Sequence, residues 1–481
     1  MPGSLSVTPV APVESLPGRS ADLRGVACDR GHASHRYYQR ELTRLLRHHI
    51  PAGARVLQVA CGTADILAGV EPGYGVGVEA GSELIASARR RHPQLNFIRA
   101  KPESFCVDET FDYVIIGDAI GEMADVQACL ERLRTACRPN TRIIVTYHNA
   151  LWEPILRLAS WLGMRRETKD QNWLNSGDLQ NLLHLAGFDV IKRSKEMLMP
   201  LPLPLISQAC NRALARVWPT RHLCLVQMLI ARVAPSGRPD SNLTCSVVIP
   251  TRNERGNIES AVRRTPVMGA HTDLIFVDGD SSDNTAQEVE RVMAAYPDKD
   301  ITLIHQGDGR GKGDAVRRGF AAAKGDVLMI LDADLTVPPE ELPKFFDAVA
   351  TGKGEFINGS RLAYPMERDA MRTLNQVANW FFSKLFTYLL GQRFRDTLCG
   401  TKVLRRRDYD VIAANRGYFG EFDPFGDFDL IFGAAKANLK IIEIPIRYRA
   451  RTYGTTNISR FLHGLLLLKM SFVALRKLKL R

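Results

Sequence analysis

A chain of 481 residues exceeds what one hydrophobic core usually supports, which predicts two domains. Hydrophobic content of 45% and charged content of 24%, with Gly and Pro scattered rather than repeated, exclude fibrous and disordered classes. A formal charge of +12 points to an anionic partner without choosing among nucleic acid, an acidic membrane surface and a phosphorylated substrate.

The first residues, 1–24, are rich in Pro and Ser and lack both the basic start and the apolar centre of a signal peptide, so a disordered tail is expected. An α/β unit is expected over 25–234. RVLQVAC, YGVGVE, NFIRA, FDYVIIG and TRIIVTY read as short buried strands, separated by helical patterns such as ELIASARRRH and VQACLERLRTAC. Residues 235–242, PSGRPDSN, read as a linker. A second α/β unit is expected over 243–450, with strands CSVVIP, TDLIFVD, ITLIHQ, DVLMILDAD and EFINGS between helical segments. The alternation predicts two mainly parallel, doubly wound sheets.

The nine cysteines sit far apart, with no C-x-x-C pair, so neither a disulfide framework nor a structural zinc site is expected. A reducing, cytoplasmic location follows. His32, His35, His48 and His49 lack metal-like partners and are expected at the surface.

In open α/β sheets ligands bind beyond the carboxyl ends of the strands. Three such loops in the second unit are polar: Pro250-Thr251-Arg252-Asn253-Glu254, Asp278-Gly279-Asp280-Ser281-Ser282-Asp283 and Gly309-Arg310-Gly311-Lys312-Gly313-Asp314. Asp332 and Asp334 are expected to end an apolar strand on one side of the pleat, where two like charges call for a cation between them. Oxygen donors without Cys or His favour Mg²⁺ or Mn²⁺. For this pair taken alone, a solvated turn is the simpler reading.

The runs P-T-R-N-E, V-D-G-D-S-S-D, G-K-G-D-A and L-D-A-D, in this order, resemble glycosyltransferase family 2, and within it the dolichyl-phosphate mannose and glucose synthases. The resemblance implies a GT-A fold, inversion at the anomeric carbon and a UDP- or GDP-sugar donor. It places Pro250, Thr251, Asn253, Glu254, Asp278 and Lys312 around the nucleotide, the metal on Asp332 and Asp334, and Arg361 beside the donor, with a structural salt bridge as the alternative for Arg361. Asp427, in Gly426-Asp427-Phe428-Asp429-Leu430, matches the acidic pair in part. It is read as a general base, a hydrogen-bond partner of the donor sugar, or a helix N-cap. Polyprenyl-phosphate sugar synthases are also similar around Asp396-Thr397-Leu398-Cys399-Gly400-Thr401-Lys402 and Arg447-Tyr448-Arg449-Ala450-Arg451-Thr452-Tyr453-Gly454. Lys402, Arg449 and Arg451 are therefore candidates for the acceptor phosphate or the donor diphosphate, against a solvated basic edge.

Val56-Leu57-Gln58-Val59-Ala60-Cys61-Gly62-Thr63-Ala64-Asp65 resembles the strand and turn of class I S-adenosylmethionine-dependent methyltransferases. That implies a Rossmann-like fold and cofactor contacts at Ala60, Gly62, Glu79 and Asp118. Two expected glycines are Ala60 and Ala64, the first-strand acid is Gln58, and Lys101 stands where an acid often contacts adenine. A degenerate domain kept for recognition or assembly is the rival.

The last segment, 451–481, is expected to form a basic amphipathic helix. Its apolar run from Phe461 to Leu475 is broken by His463 and Lys469 and ends in Arg476, Lys477, Lys479 and Arg481, which suits the inner face of a cell membrane better than a span. Asn379 to Leu390 has a similar character. Packing onto the domain, or into a homo-oligomer, is the alternative.

Together these features predict an inverting, metal-dependent glycosyltransferase with a polyprenyl-phosphate acceptor, joined to a methyltransferase-like domain. The nearest alternative acts on a sugar hydroxyl of a cell-surface glycan and has a working sugar or lipid methyltransferase. A non-catalytic membrane scaffold and a nucleic-acid binder rank lower, the latter for want of any binding motif.

Overall fold

A computed structural model of the protein describes residues 33–161, 172, 174–309, 311–361, 373–419, 426–449, 451, 453 and 460–480. The tail expected at 1–24, together with His32, Arg310, Ala450, Thr452 and Gly454, lies outside the described residues.

The first sheet joins β1 (Arg55–Val59), β2 (Tyr74–Glu79), β3 (Asn96–Arg99), β4 (Phe111–Ile116), β5 (Cys137–His148), β6 (Phe188–Glu196) and β7 (Val226–Val233) in the order 3-2-1-4-5-7-6. All pairs are parallel except those made by β7, which runs antiparallel to both neighbours. Helices α1 (Ala33–His49), α2 (Asp65–Gly69), α3 (Ser82–Arg91), α4 (Val126–Leu133), α5 (Glu153–Trp161), α6 (Ser176–Leu185) and α7 (Ile206–Arg212) belong to this half. Strands covered on both faces read as continuous apolar runs, because each pleat must be dry. Leu57 and Val59 enter one core and Val56 the other.

Residues 234–243 carry no helix or strand. The second sheet follows with β8 (Thr244–Thr251), β9 (His271–Asp278), β10 (Asp300–His305), β11 (Val327–Ile330), β12 (Phe356–Ser360), β13 (Lys402–Arg405) and β14 (Ile441–Pro445), ordered 10-9-8-11-13-12-14. Here β13 is the antiparallel strand. Its helices are α8 (Ile258–Arg264), α9 (Thr285–Ala295), α10 (Gly311–Ala322), α11 (Leu342–Ala350), α12 (Thr373–Leu390), α13 (Arg406–Ala414), α14 (Asp427–Lys436) and α15 (Arg460–Ala474). Both sheets are therefore α/β and mixed, each with one reversed strand.

The last α-helix buries Leu467, Met470 and Ala474 against the second half, as the π-helical turn after it (Leu475–Lys479) buries Leu478, and leaves Leu465, Leu468 and Phe472 exposed. It packs beside α12, where Trp380 and Phe381 are also exposed. Among the described residues no helix is long and apolar enough to cross a membrane.

The halves meet through buried and half-buried polar contacts. The Arg142 guanidinium donates from Nη2 to both Glu355 oxygens at 2.9 Å and from Nε to the Asn438 carbonyl at 3.0 Å. Arg232 reaches the Gly352 carbonyl at 2.7 Å, and Lys440 reaches Asp189 at 2.8 Å. His49 is not a surface residue as expected: it is buried, with Nδ1 3.1 Å from the Asn438 side-chain oxygen, because α1 ends against the second half. The cysteines described are free.

Breaking a buried pair strands a charge in low dielectric, so Arg142→Ala is expected to destabilise the chain by about 3–5 kcal/mol in thermal or urea melts. Asp408 offers the opposite case. Burial first and Glu355 second push its carboxyl up to about 6. The folded state then binds a proton that the unfolded state has lost between about pH 4 and 6, and the penalty is fully present above that window. Asp408→Asn is expected to stabilise the chain at pH 7 by roughly 1–3 kcal/mol. Melts at pH 7 and at pH 3.5 should show that gain shrink at the lower pH.

Candidate active site

The sequence-expected site lies at the carboxyl edge of the second sheet. Strand β11 ends at Ile330, earlier than expected, and Leu331 donates its N–H to the Val248 carbonyl at 3.0 Å. Asp332 and Asp334 therefore sit in a turn closed by the Leu335 N–H on the Asp332 carbonyl, with Leu335 at φ +50°. The pleat expected to align the carboxylates does not reach them. They are set instead by what surrounds them.

Each carboxylate has a cation of this chain against it. Lys312, in the first turn of α10, lies 2.5 Å from Asp332, and Arg451 lies 2.7 Å from Asp334. Asp334 also accepts from the backbone N–H and hydroxyl of Thr336. Arg451 stands 3.5 Å from Glu254 as well, which ties the loop after β8 to the Asp334 turn. Burial alone would raise the Asp332 carboxyl, but Lys312, then Lys402 and Arg361, hold it below the usual carboxylate range. Burial likewise opposes the Lys312 ammonium, and Asp332 and Asp427 more than offset it, so its pKa is raised. Glu254 is raised, chiefly by burial, despite a hydrogen bond from Asn257.

The loops after β8 and β9 are sewn together. The Asn253 N–H donates to the Ser281 hydroxyl, the Ser282 N–H donates to the Asn253 side-chain oxygen, and the Ser281 hydroxyl donates to Asp278 at 2.5 Å. Asn253 takes a left-handed φ of +57° to do so. Pro250 and Thr251 complete β8, the Thr251 hydroxyl donating inward to the Val277 carbonyl. Arg449 contributes its backbone N–H to the Thr336 carbonyl, while its side chain is exposed.

Residues 396–402 explain much of the geometry, though only Lys402 was singled out in the sequence. Asp396, fully buried, takes the Arg361 guanidinium in a two-point contact at 2.8 and 2.7 Å, the salt bridge held open as the alternative for that arginine. A Cβ on Gly400 would lie 1.9 Å from an Asp332 oxygen, so only glycine lets that carboxylate sit where it does. Lys402, fully buried, lies 3.1 Å from Asp427. Asp427 is the first residue of α14 and does not cap it: the N-cap is Gly426 at φ +70°, where a Cβ would strike the Gly313 backbone at 2.5 Å. The spacing D-x-x-x-G-x-K carried this signal, but its glycine and acid speak only once their partners are known.

No group of three or more His, Cys, Asp or Glu able to hold a metal occurs among the described residues. The donor chemistry of Asp332 and Asp334 nonetheless fits a hard divalent ion, and their paired cations mark the charge such an ion would meet.

In the first half, Glu79 accepts the N–H groups of Gly62, Ala80 and Gly81 at 2.9–3.0 Å. Ala60, Gly62 and Ala64 all take left-handed φ, at 52°, 56° and 62°, so the turn keeps a glycine-like path with two alanines in it. A Cβ on Gly62 or Gly117 would meet nothing within 4 Å, leaving room beyond β1 and β4 for a cofactor. Asp118 is bonded by the Tyr38 hydroxyl and lies 3.7 Å from His148. The residues present fit S-adenosylmethionine.

A two-sheet α/β chain with a methyltransferase-type order in one half and a GT-A order in the other defines the class. Residues 246–412 match the family model described as glycosyl transferase family 2, and residues 30–193 match that described as methyltransferase domain. A dolichyl-phosphate hexose transferase of Haloferax volcanii is 31% identical over 222 residues, covering 46% of this chain and 88% of that protein. A dolichol-phosphate mannosyltransferase of Pyrococcus furiosus is 30% identical over 227 residues, covering 44% of this chain and 58% of that protein. The glycosyltransferase AglD of Haloferax volcanii is 26% identical, covering 48% of this chain and 37% of that protein. The chain thus spans only about half the length of these last two relatives. It belongs to glycosyltransferase family 2.

Gly400→Ala is expected to leave the melting temperature within a few degrees while displacing the Asp332 carboxylate. Calorimetric titration with UDP and GDP in the presence of Mn²⁺ should show binding weakened at least about tenfold, as for loss of a charged contact.

Proposed function

We propose that the second half transfers a sugar, with inversion, from a nucleotide-diphosphate donor to a polyprenyl phosphate. The observation that supports this best is the convergence of Glu254, Lys312, Asp332, Asp334, Asp427 and Arg451 at one strand-end crevice. In this reading the loops after β8 and β9 hold the nucleotide, and Lys312 and Arg451 swing from their carboxylates to phosphate oxygens. Asp332 and Asp334 would hold Mg²⁺ or Mn²⁺, which when bound neutralises charge on the departing diphosphate. Lys402 holds the buried Asp427 within reach of Lys312. A phosphate acceptor is already anionic near neutral pH, so Asp427 need only orient it or the donor sugar. For a hydroxyl acceptor Asp427 would take the proton.

The lipid acceptor is favoured by the relatives named as dolichyl-phosphate transferases and by the exposed Trp380, Phe381, Leu465, Leu468 and Phe472 on paired helices. Such a surface suits peripheral contact with a membrane. The first half is proposed to bind S-adenosylmethionine, with Glu79 on the ribose and Gly62 beneath the cofactor.

The test supplies labelled UDP- and GDP-sugars with polyprenyl phosphate and Mn²⁺. Product should form, should stop with EDTA, and should fall about 100-fold or more in Asp332→Asn, since a lost charge clamp is worth several kcal/mol. Labelling of glycan acceptors alone would overturn the lipid assignment. Calorimetry with S-adenosylmethionine should show binding that Glu79→Ala weakens at least about tenfold; no heat in the wild-type chain would leave the first half without its cofactor.

A further inference from the structure

A second cationic site lies between the halves, away from the crevice of Asp332. A cavity of about 720 Å³ is lined on one side by Arg193 and Lys195 of β6 and by Arg221, and on the other by Lys384 of α12, Arg393 and Lys479. Arg216 also lines it but is neutralised by the buried Glu196. No carboxylate lines it among the described residues.

Two polar groups on its wall are left over by the described residues, while Lys195 lies 3.0 Å from His222 Nδ1. The Arg221 Nε and the Ser194 hydroxyl are buried and have no hydrogen-bond partner among the described residues. The Arg221 guanidinium and the Lys479 ammonium both face the ring of Tyr388, at 5.9 and 5.2 Å from its centroid. Tyr388 is pinned by donating its hydroxyl to the Arg216 carbonyl at 2.8 Å. Burial, and then the neighbouring Arg221, lower the Lys195 pKa, as expected for cations crowded together. Such crowding is unfavourable in the free chain and is relieved by an anion with several acceptor oxygens.

We propose that this cavity is a binding site for a phosphate or diphosphate group, gripped by cations from both halves. The ligand would bridge the two halves and favour their present arrangement. Two sources share that chemistry. One is a free phosphorylated metabolite. The other is an anionic lipid head group, for which the exposed Trp218 and Leu223 flanking Arg221 would supply apolar contact.

The full chain is titrated with labelled inorganic pyrophosphate in EDTA, by equilibrium dialysis. Two cavity variants are compared, Lys195→Gln/Arg221→Gln from the first half and Lys384→Gln/Arg393→Gln from the second, with Lys312→Gln/Arg451→Gln as the donor-crevice control. One saturable site should survive in the control and weaken at least about tenfold in each cavity variant. Should the first variant fail to fold, the second, built on exposed side chains, decides the matter. Co-sedimentation with phosphatidylcholine vesicles, with and without phosphatidylglycerol, separates the sources. Loss of phosphatidylglycerol-dependent binding in the cavity variants assigns a lipid head group; unchanged vesicle binding assigns a soluble phosphate. Pyrophosphate binding that is unaffected by the cavity variants, or lost only in the control, overturns the proposal.

Discussion

Carboxylates gathered at one edge of a sheet repel each other and lose hydration, so they persist only where cations of the same chain stand against them. This constraint organises the second half. Lys312 faces Asp332, Arg451 faces Asp334, Lys402 faces Asp427 and Arg361 faces Asp396. The four cations come from four different segments: α10, the chain after β14, β13 and the chain after β12. Each ion pair thus ties a loop to the strand ends, and the crevice is assembled by its own charge balance. A ligand bearing phosphates can enter by exchanging partners rather than by burying new charge.

The same rule acts where the halves meet. Arg142 and Arg232 share Glu355, and Lys440 bonds Asp189 and the carbonyl of Val190. A dry ion pair adds little net stability once desolvation is counted, but it is intolerant of displacement. Its consequence is orientation. The edge of the first sheet around β6 is held beside α12, and the basic cavity exists only because these two elements are kept together.

Exposed apolar side chains on α12 and α15 complete the picture. Each helix spends one face on the core and leaves large hydrophobes on the other, as a peripheral surface contact requires. Tyr388 and Lys384 lie on the same helix as Trp380 and Phe381, so the cavity and the apolar surface share one scaffold.

Much of this was legible in the order of residues. Short continuous runs of Val, Ile and Leu bounded by turn residues located the first five strands of each sheet, and polar loops after β8 and β9 pointed to the crevice. What stayed hidden was non-local. Strands β7 and β13 reverse direction, and direction depends on partners distant in sequence. The turn at Asp332 ends its strand early because β11 pairs with β8 only as far as Ile330. His49 looked exposed because nothing near it in sequence marks Asn438 as its partner. Gly400 and Asp396 looked like parts of a motif, and only the fold showed that one makes room for Asp332 while the other neutralises Arg361. The sequence by itself determined which residues could carry charge and which runs would form strands, because both depend on local pattern. Tertiary structure decided which charges meet, since pairing energies fall off within a few ångströms and those distances are set by packing.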